Sequence, residues 1–532
     1  MSWDAVVVGA GPNGLVAANR LLDAGWAVLL LEAQPTVGGA VRSDRDVHPD
    51  FVHDTFSAFY PLAASSPTIA SFDLAEHGLE WSHAPSVLGH PLRDGSWAVL
   101  HRERTATAAG LDELHPGDGE AWLELCAQWD RIGPHLVGSL LTPFPPVRSG
   151  VALLSALRTA GGLDTVRMLL TPMVDLARER FGGEAARVLL AGNAGHADIP
   201  LEAPGSGLMG LLLAMMGQTV GFPVPCGGAG ELTGALARRF VANGGTIRTD
   251  AEVTGIQVRD GRAHTVVTAD GEGHRAIRAV VADVLAPALY TRLLDPAVLP
   301  GRVLRSMQRF ELDPGTVKVD WALDRQVPWT DGPELASGTV HIADDVRDMS
   351  EALAQVRAGA VPAKPFMLTG QMTTADPTRS PGGTESFWAY SHVPQETGHD
   401  AGDGGITGRW DRDDCERFAD RMQARLEEVA PGFGSRILAR RVLGPRELEA
   451  RDANLAGGAL NGGTAQLQQQ LVFRPVPGLG RAETPVKALY LGSASAHPGG
   501  GVHGACGDNA ARAALAHDRV DRLVPWRAAR PV

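Results

Sequence analysis

The chain has 532 residues, enough for two or three domains around a large core. Its formal net charge of −13 at pH 7 excludes nucleic acid as an expected partner. The four cysteines are far apart and form no Cys-x-x-Cys pair, so we predict neither a redox-active dithiol nor a disulfide framework. A first strand that begins near Asp4 leaves no room for a signal peptide, and we therefore expect a cytoplasmic protein.

The first 32 residues have the order of a dinucleotide-binding unit. An apolar run at 4–8 leads into a glycine-rich turn at 9–14 and a helical pattern at 15–22, and a second apolar run at 27–31 ends on Glu32. In such a unit the glycines let the backbone approach a pyrophosphate, whose charge the helix N-terminus attracts. An acid about 20 residues further on accepts from ribose hydroxyls. The predicted contacts are Gly9, Gly11, Pro12, Asn13, Gly14, Glu32 and Ala33.

An extension of this unit follows Glu32. After five intervening residues it reads Gly38-Gly39-Ala40-Val41-Arg42, and it resembles the pattern of the flavin amine oxidase and phytoene desaturase superfamily. In that superfamily the Gly-Gly turn passes along FAD and a nearby arginine meets its phosphates. The resemblance implies FAD rather than NAD, and it adds Gly38, Gly39, Ala40 and Arg42 to the expected contacts.

Two later motifs extend the resemblance. Residues 225–232 read Pro-x-Gly-Gly-x-Gly-x-Leu, and residues 488–511 form a strand, a glycine-rich turn and a helical pattern. Both resemble motifs of the phytoene desaturase-like FAD oxidoreductases, in particular the branch named pyridine nucleotide-disulfide oxidoreductase domain-containing protein 2. Because Cys506 lies in no known attachment motif, noncovalent FAD is expected. By resemblance its contacts also include Val253, Gly492, Gly500, Gly501, Val502 and His503.

The resemblance implies an α/β fold, α+β overall. Its parts are a discontinuous Rossmann-type FAD-binding domain, a β-sheet substrate domain and a helical cap. The expected ranges are 1–105, 225–298 and 440–532 for the FAD-binding domain, 106–224 for the cap and 299–439 for the substrate domain. Strand candidates in the substrate domain lie at 316–323, 338–342 and 386–390, and a helix is predicted at 415–429.

The most apolar stretch of the chain runs from residue 207 to 225. Glycines and prolines interrupt it, so we predict a buried helix beside an apolar pocket rather than a membrane span. The predicted substrate-cavity residues are Leu208, Leu212, Met215 and Met216. The helical segments before it carry Arg148, Arg158 and Arg167 beside apolar faces, which fits either peripheral membrane contact or an ordinary amphipathic helix.

Three residues are candidates for catalysis. The segment 51–60 lies beside the flavin in the families that this chain resembles, so His53, Asp54 and Ser57 either line the cofactor or substrate cavity, with Ser57 an expected FAD contact, or belong to a packed loop. Lys318 lies on a predicted strand; in flavin amine oxidases a similar strand carries a lysine that holds water near flavin N5, although an ordinary strand lysine fits equally well. His503, in the last glycine-rich turn, is the third candidate, beside His53 and Lys318.

The resemblance implies an FAD-dependent oxidoreductase. The expected reaction is hydride transfer from a lipophilic substrate, isoprenoid-like, polyene-like or a related secondary metabolite, to flavin N5, with reoxidation by oxygen or a quinone. His503 and Asp508-Asn509 depart from the carotenoid desaturases, so a carotenoid is not assumed. The alternatives are a flavin amine oxidase that releases hydrogen peroxide, with an aromatic cage from Trp321, Trp329 or Trp388, a redox-neutral flavin-dependent isomerase, and a flavin-binding interaction protein. No metal ion is expected, and the oligomeric state stays open.

Overall fold

The computed structural model of the chain describes residues 2–523. Its first sheet contains the predicted dinucleotide unit, with the strand Ser2–Val8 between two parallel neighbours. Val6 lies opposite Val280 on one side and opposite Leu29 on the other. The strands of this sheet, in spatial order, are Val253–Arg259, Arg262–Thr268, Gly273–Ala282, Ser2–Val8, Val28–Leu31 and Thr246–Arg248, with Leu489–Leu491 also paired to Gly273–Ala282.

Helices cover one face of the first sheet. Leu15, Leu236 and Ala510, from three different helices, belong to one buried apolar cluster with the central strands. All four residues of Val28–Leu31 are buried, as expected for an apolar run that is covered on both faces of a parallel sheet. The three helices are Pro12–Asp23, Gly230–Ala242 and Ala505–Leu523. This layered arrangement confirms the predicted α/β fold with a Rossmann-type domain.

A second, mainly antiparallel sheet contains the predicted strands of the substrate domain. Its inner core forms between the sheet and the helix Arg412–Val429, where Phe387 and Phe418 are fully buried in the same cluster. The strands, in spatial order, are Ile437–Leu443, Gly315–Leu323, Glu385–Val393, Met367–Gln371, Ser337–Ile342, Ser86–Pro91 and Trp97–Leu100.

Two strands differ from the expected domain ranges. Ser86–Pro91 and Trp97–Leu100 fall within 1–105 but belong to the second sheet, because Ser86–Pro91 pairs in parallel with Ser337–Ile342. Ile437–Leu443, at the expected boundary, likewise pairs with Gly315–Leu323. These pairings join residues about 120 to 250 positions apart, and the local pattern of a strand does not specify so distant a partner.

A helical layer occupies the region predicted to be the cap. Trp122, Leu189 and Met215 are among its fully buried residues. Between residues 2 and 523, no helix combines the length and the apolar character that a membrane crossing requires. The helices are Arg104–Leu114, Asp118–Leu141, Val147–Thr159, Leu163–Leu170, Met173–Arg180, Glu184–Gly195 and Ser206–Gly217.

Short elements connect these layers. The remaining α-helices are Pro61–Ala64, Pro67–Ala70, Ala286–Ala288, Gly301–Met307, Val346–Arg357, Met372–Ala375 and Pro445–Arg451. The two-stranded pairs are Ser43–Asp44 with His53–Asp54, Trp81–Ser82 with Val224–Pro225, and Ala360–Val361 with His399–Asp400.

Candidate functional site

A glycine-lined cleft lies at the carboxyl edge of the first sheet. Three parallel strands end there, and Gly9, Asp283 and Gly492 are the residues that follow them. This edge is where ligands bind in open α/β sheets. The cleft is lined by Gly11, Pro12, Asn13, Gly39, Ala40, Val41, Asp283, Leu285, Asp452, Asn454, Leu455, Leu460, Gly462, Ser493, Ala494, Ser495, Gly499, Gly500, Gly501 and Val502.

The glycines of the first turn are required by close backbone contacts. Gly9 has a φ of +93°, in the left-handed region. A Cβ atom on Gly11 would lie 2.9 Å from the Asp283 carboxylate, and one on Gly14 would lie 2.0 Å from the carbonyl oxygen of Gly9. The helix Pro12–Asp23 therefore begins directly at the cleft; Gly11 has no side chain to cap it, and in the first turn only the Gly14 N–H is bonded to a side chain, that of Asp283, within residues 2–523. Its free N–H groups and dipole suit an anionic ligand.

Two acidic residues lie beside this helix N-terminus. Glu32 accepts hydrogen bonds from the backbone N–H of Ala10 at 2.7 Å and of Gln34 at 2.9 Å, and burial raises its pKa. Asp283 accepts from the N–H of Gly14 at 2.8 Å. Burial, together with the charges of Asp452 and Glu32, raises the pKa of Asp283 to about 8. Sequence reasoning missed Asp283 as a site residue, although an acid directly after a buried parallel strand was an available signal.

Orphaned polar atoms test whether the cleft fits a flavin dinucleotide. Asn13 Oδ1 and Arg42 Nε are buried and have no hydrogen-bond partner within residues 2–523. The Arg42 guanidinium also donates to the carbonyl of Arg451 at 2.7 Å and lies over the Phe56 ring at 5.4 Å. A basic group, a free helix N-terminus and the Glu32 carboxylate are the partners that a diphosphate and a ribose need. The residues present fit the group.

His503 lies in the turn that forms the opposite wall of the cleft. Its Nδ1 accepts from the backbone N–H of Ala505 at 3.0 Å, and its carbonyl accepts from Ser66 Oγ at 2.7 Å. Burial lowers its pKa to about 4. These contacts keep the imidazole neutral at the start of the C-terminal helix, where it holds the backbone. The catalytic role predicted for His503 stays a prediction, and the geometry favours positioning.

Lys318 and His53 lie together around Asp320, away from the residues that line the cleft. Lys318 Nζ contacts the Asp320 carboxylate and donates to the carbonyl of Asp54 at 2.9 Å. Burial lowers the pKa of Lys318, and the charge of Asp320 opposes that shift. His53 Nε2 lies 3.1 Å from the carbonyl of Trp321, and burial lowers its pKa as well. The side chains of Lys318, His53 and Asp320 are all buried, so this group resembles an internal ion-pair network.

A second buried network joins the glycine motif at 225–232 to the second sheet. The fully buried Arg379 guanidinium binds Asp54 at 2.9 Å and Asp376 at 2.8 Å. Asp54 also accepts from the backbone N–H of Ala229 at 2.8 Å. Sequence reasoning did not identify Arg379, because its partner Asp54 is 325 positions away. Ser57, a predicted FAD contact, donates to the carbonyl of Ala40, itself a cleft residue, at 2.9 Å.

The other face of the second sheet, away from the helix Arg412–Val429, carries aromatic and titratable side chains. Trp388, Tyr390 and His392 alternate along one strand, and Lys318 lies directly opposite Tyr390 on the next strand. The rings of Trp388 and Tyr390 are stacked, with centroids 5.9 Å apart. We call this surface the polar sheet face.

The three tryptophans considered for an aromatic cage do not share one face of the second sheet. Trp321 and Trp329 both pack on Phe387, with ring centroids 5.7 and 6.2 Å away. Phe387 and Trp388 are neighbours in a strand, so their side chains point to opposite faces of the sheet. The three tryptophans therefore cannot enclose one cation.

The predicted substrate-cavity residues lie on the buried helix Ser206–Gly217. Met215 is fully buried, while Leu208 is partly exposed and packs at the edge of the same core. Ser65 Oγ lies 3.6 Å from Met216 Sδ, and a Cβ on Gly501 would lie 2.7 Å from Leu62 of the same short segment. These residues approach the cleft through one intervening helix but do not line it, and Leu212 behaves as core. Val253 and Gly492 occupy the first sheet and its edge.

Comparisons with known proteins agree with this geometry. Residues 13–384 match the family model described as flavin containing amine oxidoreductase. The chain is 29% identical over 554 residues to the mouse pyridine nucleotide-disulfide oxidoreductase domain-containing protein 2, covering 96% of this chain and 92% of the mouse protein. It is 24% identical to a lycopene-forming phytoene desaturase of Pseudescherichia vulneris, covering 96% and 98%.

A solved structure confirms the fold. Cyclohexylamine oxidase from Brevibacterium oxydans IH-35A aligns over 98% of this chain and 100% of its own, with a TM-score of 0.60 and 16% identity. The predicted resemblance to the phytoene desaturase-like oxidoreductases is thereby confirmed, and the family model covers more than half of the chain. The chain belongs to the flavin containing amine oxidoreductases and is a flavin-dependent oxidoreductase.

Proposed function

We propose that this oxidoreductase binds FAD noncovalently in the glycine-lined cleft and oxidises a lipophilic substrate, with oxygen or a quinone as the final electron acceptor. The observation that carries the proposal is the pair of buried, unpartnered atoms Asn13 Oδ1 and Arg42 Nε near the glycine-lined helix N-terminus, where Asp283 accepts from the Gly14 N–H. When bound, the flavin supplies the acceptor for a hydride from a substrate carbon. The chain's own residues hold the cofactor: the helix N-terminus meets the diphosphate and Glu32 accepts from the ribose.

The chemistry of Cys506 supports noncovalent binding. Its Sγ lies 3.5 Å from the carbonyl of Ala496 and 3.4 Å from that of Gly499, and the residue is fully buried. Burial raises the pKa of the thiol to about 12. A thiol with such a pKa is a poor nucleophile at neutral pH, so it does not favour a covalent flavin link.

The visible spectrum of the purified protein, before and after denaturation, tests the cofactor. We expect flavin bands, with the flavin released into solution on denaturation. Gly14→Ala should lose the flavin, because the new Cβ would clash with the carbonyl of Gly9. Gly138→Ala is the matched control, since a Cβ there meets nothing within 4 Å. A colourless wild type that cannot be reconstituted with FAD would overturn the proposal.

The lipophilic substrate is supported by two observations. The helix Ser206–Gly217 is apolar throughout and its Met216 end lies near the segment that contacts Gly501. One relative is named a phytoene desaturase. Met216→Trp should lower turnover of isoprenoid substrates by filling this region, whereas Leu170→Trp, at an exposed position, should not. Hydrogen peroxide release on amines instead would favour the amine oxidase alternative, and activity only with pre-reduced flavin in the absence of oxygen would favour an isomerase.

We further propose that an exposed apolar face of the helical layer contacts membranes, from which a lipophilic substrate would enter. Val147, Val151 and Leu154 are 64–70% exposed on one helix, and Leu163 is 85% exposed on the next. Apolar side chains at spacings of four and three share one helix face. Leu163→Glu should reduce co-sedimentation with liposomes of anionic phospholipid. Val241→Glu, at an exposed site in the Rossmann-type domain, is the control, and equal binding of both variants would contradict the proposal.

A further inference from the structure

We infer that Asp198 and His392 form a subsite on the polar sheet face that binds a hydroxyl or amine group of the substrate. The inference rests on the proposed function and narrows its substrate class from any lipophilic molecule to a lipophilic alcohol or amine. None of the expectations drawn from the sequence included either residue as part of a site.

The pair is buried but incompletely bonded. Asp198 Oδ1 lies 3.2 Å from His392 Nε2, and the two residues are 4% and 1% exposed. Apart from each other and the backbone of Gly195, neither that oxygen nor either ring nitrogen of His392 has a hydrogen-bond partner among residues 2–523. Leaving buried polar atoms unpaired is costly, so their retention at one place points to a ligand.

The two atoms suit a group that both donates and accepts. Burial lowers the pKa of His392 to about 4, so a hydroxyl or a neutral amine placed beside the pair can donate to Asp198 Oδ1 and accept from the Nε2–H tautomer of the neutral imidazole. A hydrocarbon satisfies neither atom, and a quaternary ammonium ion has no N–H to donate. The geometry therefore selects alcohols and amines.

The subsite is connected directly to the wall of the cofactor cleft. Asn461 Nδ2 donates to Asp198 Oδ2 at 2.7 Å. Asn461 also packs on the cleft residue Gly500, where an added Cβ would lie 2.8 Å from Asn461 Oδ1. The buried carboxylate of Asp313 fixes this segment by accepting from the backbone N–H of Asn461 at 2.8 Å. Asn461 thus lies between a group bound by Asp198 and the wall of the cleft.

The surroundings of the pair provide an apolar surface. The ring of Tyr390 meets that of His392 edge-on at 5.6 Å and stacks on Trp388, so a flat aromatic surface extends from the subsite. Tyr390 is partly exposed, which places the open side of the pair there. Asp198 has a φ of +58°, in the left-handed region that aspartate tolerates better than most residues.

Binding of matched ligands to the full-length, flavin-loaded protein tests the inference. Geraniol, geranylamine and 2,6-dimethylocta-2,6-diene share one carbon skeleton and differ only in the polar group. Calorimetry and the shift of the bound flavin spectrum measure their affinities without turnover. We expect the wild type to prefer the alcohol or the amine over the hydrocarbon, and the stronger of the two identifies the group.

Two variants distinguish a specific loss of the subsite from general structural damage. Asp198→Asn and His392→Phe should weaken binding of the preferred ligand by at least about ten-fold and leave the hydrocarbon unchanged. His274→Gln is the control, because His274 is an equally buried histidine of the first sheet with an unpartnered Nε2. Thermal unfolding of each variant confirms folding.

The outcomes distinguish the two proposals. If the wild type holds flavin and binds all three ligands equally, or if both variants bind as the wild type does, the pair holds internal water only and the inference is wrong. Equal loss for alcohol and hydrocarbon also contradicts it, since that reports structural damage. If no flavin is bound, the proposed function fails, and calorimetry with the flavin-free protein still tests the subsite.

Discussion

Two buried polar clusters in this protein differ in how completely their atoms are bonded. Around Arg379, both carboxylate partners and the backbone N–H groups behind them form hydrogen bonds of 2.8–2.9 Å. Around Asp198 and His392, three polar atoms have no partner of good geometry. The first cluster is closed and joins two sheets, whereas the second is open toward a partly exposed tyrosine. Burial alone therefore does not distinguish a structural polar cluster from a functional one. The number of buried polar atoms that lack a hydrogen-bond partner does.

The closed cluster should be the more sensitive to loss of one partner. Arg379→Met would leave the buried carboxylates of Asp54 and Asp376 without their cation. We expect a loss of about 3–5 kcal/mol in the free energy of unfolding, because an uncompensated buried charge is costly. Urea denaturation of the purified variant measures it. A loss below about 1 kcal/mol would mean that the network is not closed as described.

Asp283 lies between these two clusters in how completely its carboxyl group is bonded. One of its oxygens accepts from Gly14, and its pKa is raised to about 8. Below that pH the carboxyl is neutral, and above it the new charge opposes the diphosphate of a bound flavin. We expect the dissociation constant of FAD to rise about ten-fold between pH 7 and pH 9. Fluorescence titration measures it. Asp283→Asn should abolish the dependence, while Asp295→Asn, at the start of a surface turn, should keep it.

Replacing Asp198 by its neutral amide should stabilise the protein at high pH. Burial and the nearby Asp313 raise the pKa of Asp198 well above its usual range, so the folded state retains a proton that the unfolded state loses. Stability contributed by this residue therefore falls as the pH rises above about 4. We expect Asp198→Asn to unfold at a higher temperature than the wild type at pH 8 and at a similar temperature at pH 4. A lower melting temperature at pH 8 would place a required charge at Asp198.

An ion pair at the surface should contribute least to the free energy of unfolding. Arg167 contacts Glu179 at 2.7 Å, and their side chains are 65% and 44% exposed. Solvent and salt screen such pairs, so Arg167→Ala should leave the free energy of unfolding nearly unchanged. The same urea titration used for Arg379→Met measures both variants. An effect equal to that of Arg379→Met would show that burial is not the deciding factor.

The cofactor cleft could be predicted from the sequence because its motifs are local. A strand, a glycine turn and a helix follow one another within residues 4–22 and again within 488–511, and periodicity and spacing reveal each unit. The same local patterns predicted the strands at 316–323 and 338–342, which the structure contains as Gly315–Leu323 and Ser337–Ile342.

The two polar clusters could not be predicted, because each joins positions that are far apart. Asp198 and His392 are separated by 194 positions, and Asp54 and Arg379 by 325. Only strand register decides which side chains share a face, and a shift of one residue would move His392 to the other side of its sheet. For the same reason Lys318 was a candidate by resemblance, whereas its bond to Asp54 became apparent only from the fold.

The topology of the first sheet also determines when the cofactor cleft can be completed during synthesis of the chain. Its first strand, Ser2–Val8, pairs with Gly273–Ala282, which in turn pairs with Leu489–Leu491. The glycine turn that leaves the ribosome first therefore waits for Asp283 and for the wall at Gly499–Val502 before its cleft is complete. Cofactor loading then follows translation of nearly the whole chain, and a truncated product would be unable to retain the flavin.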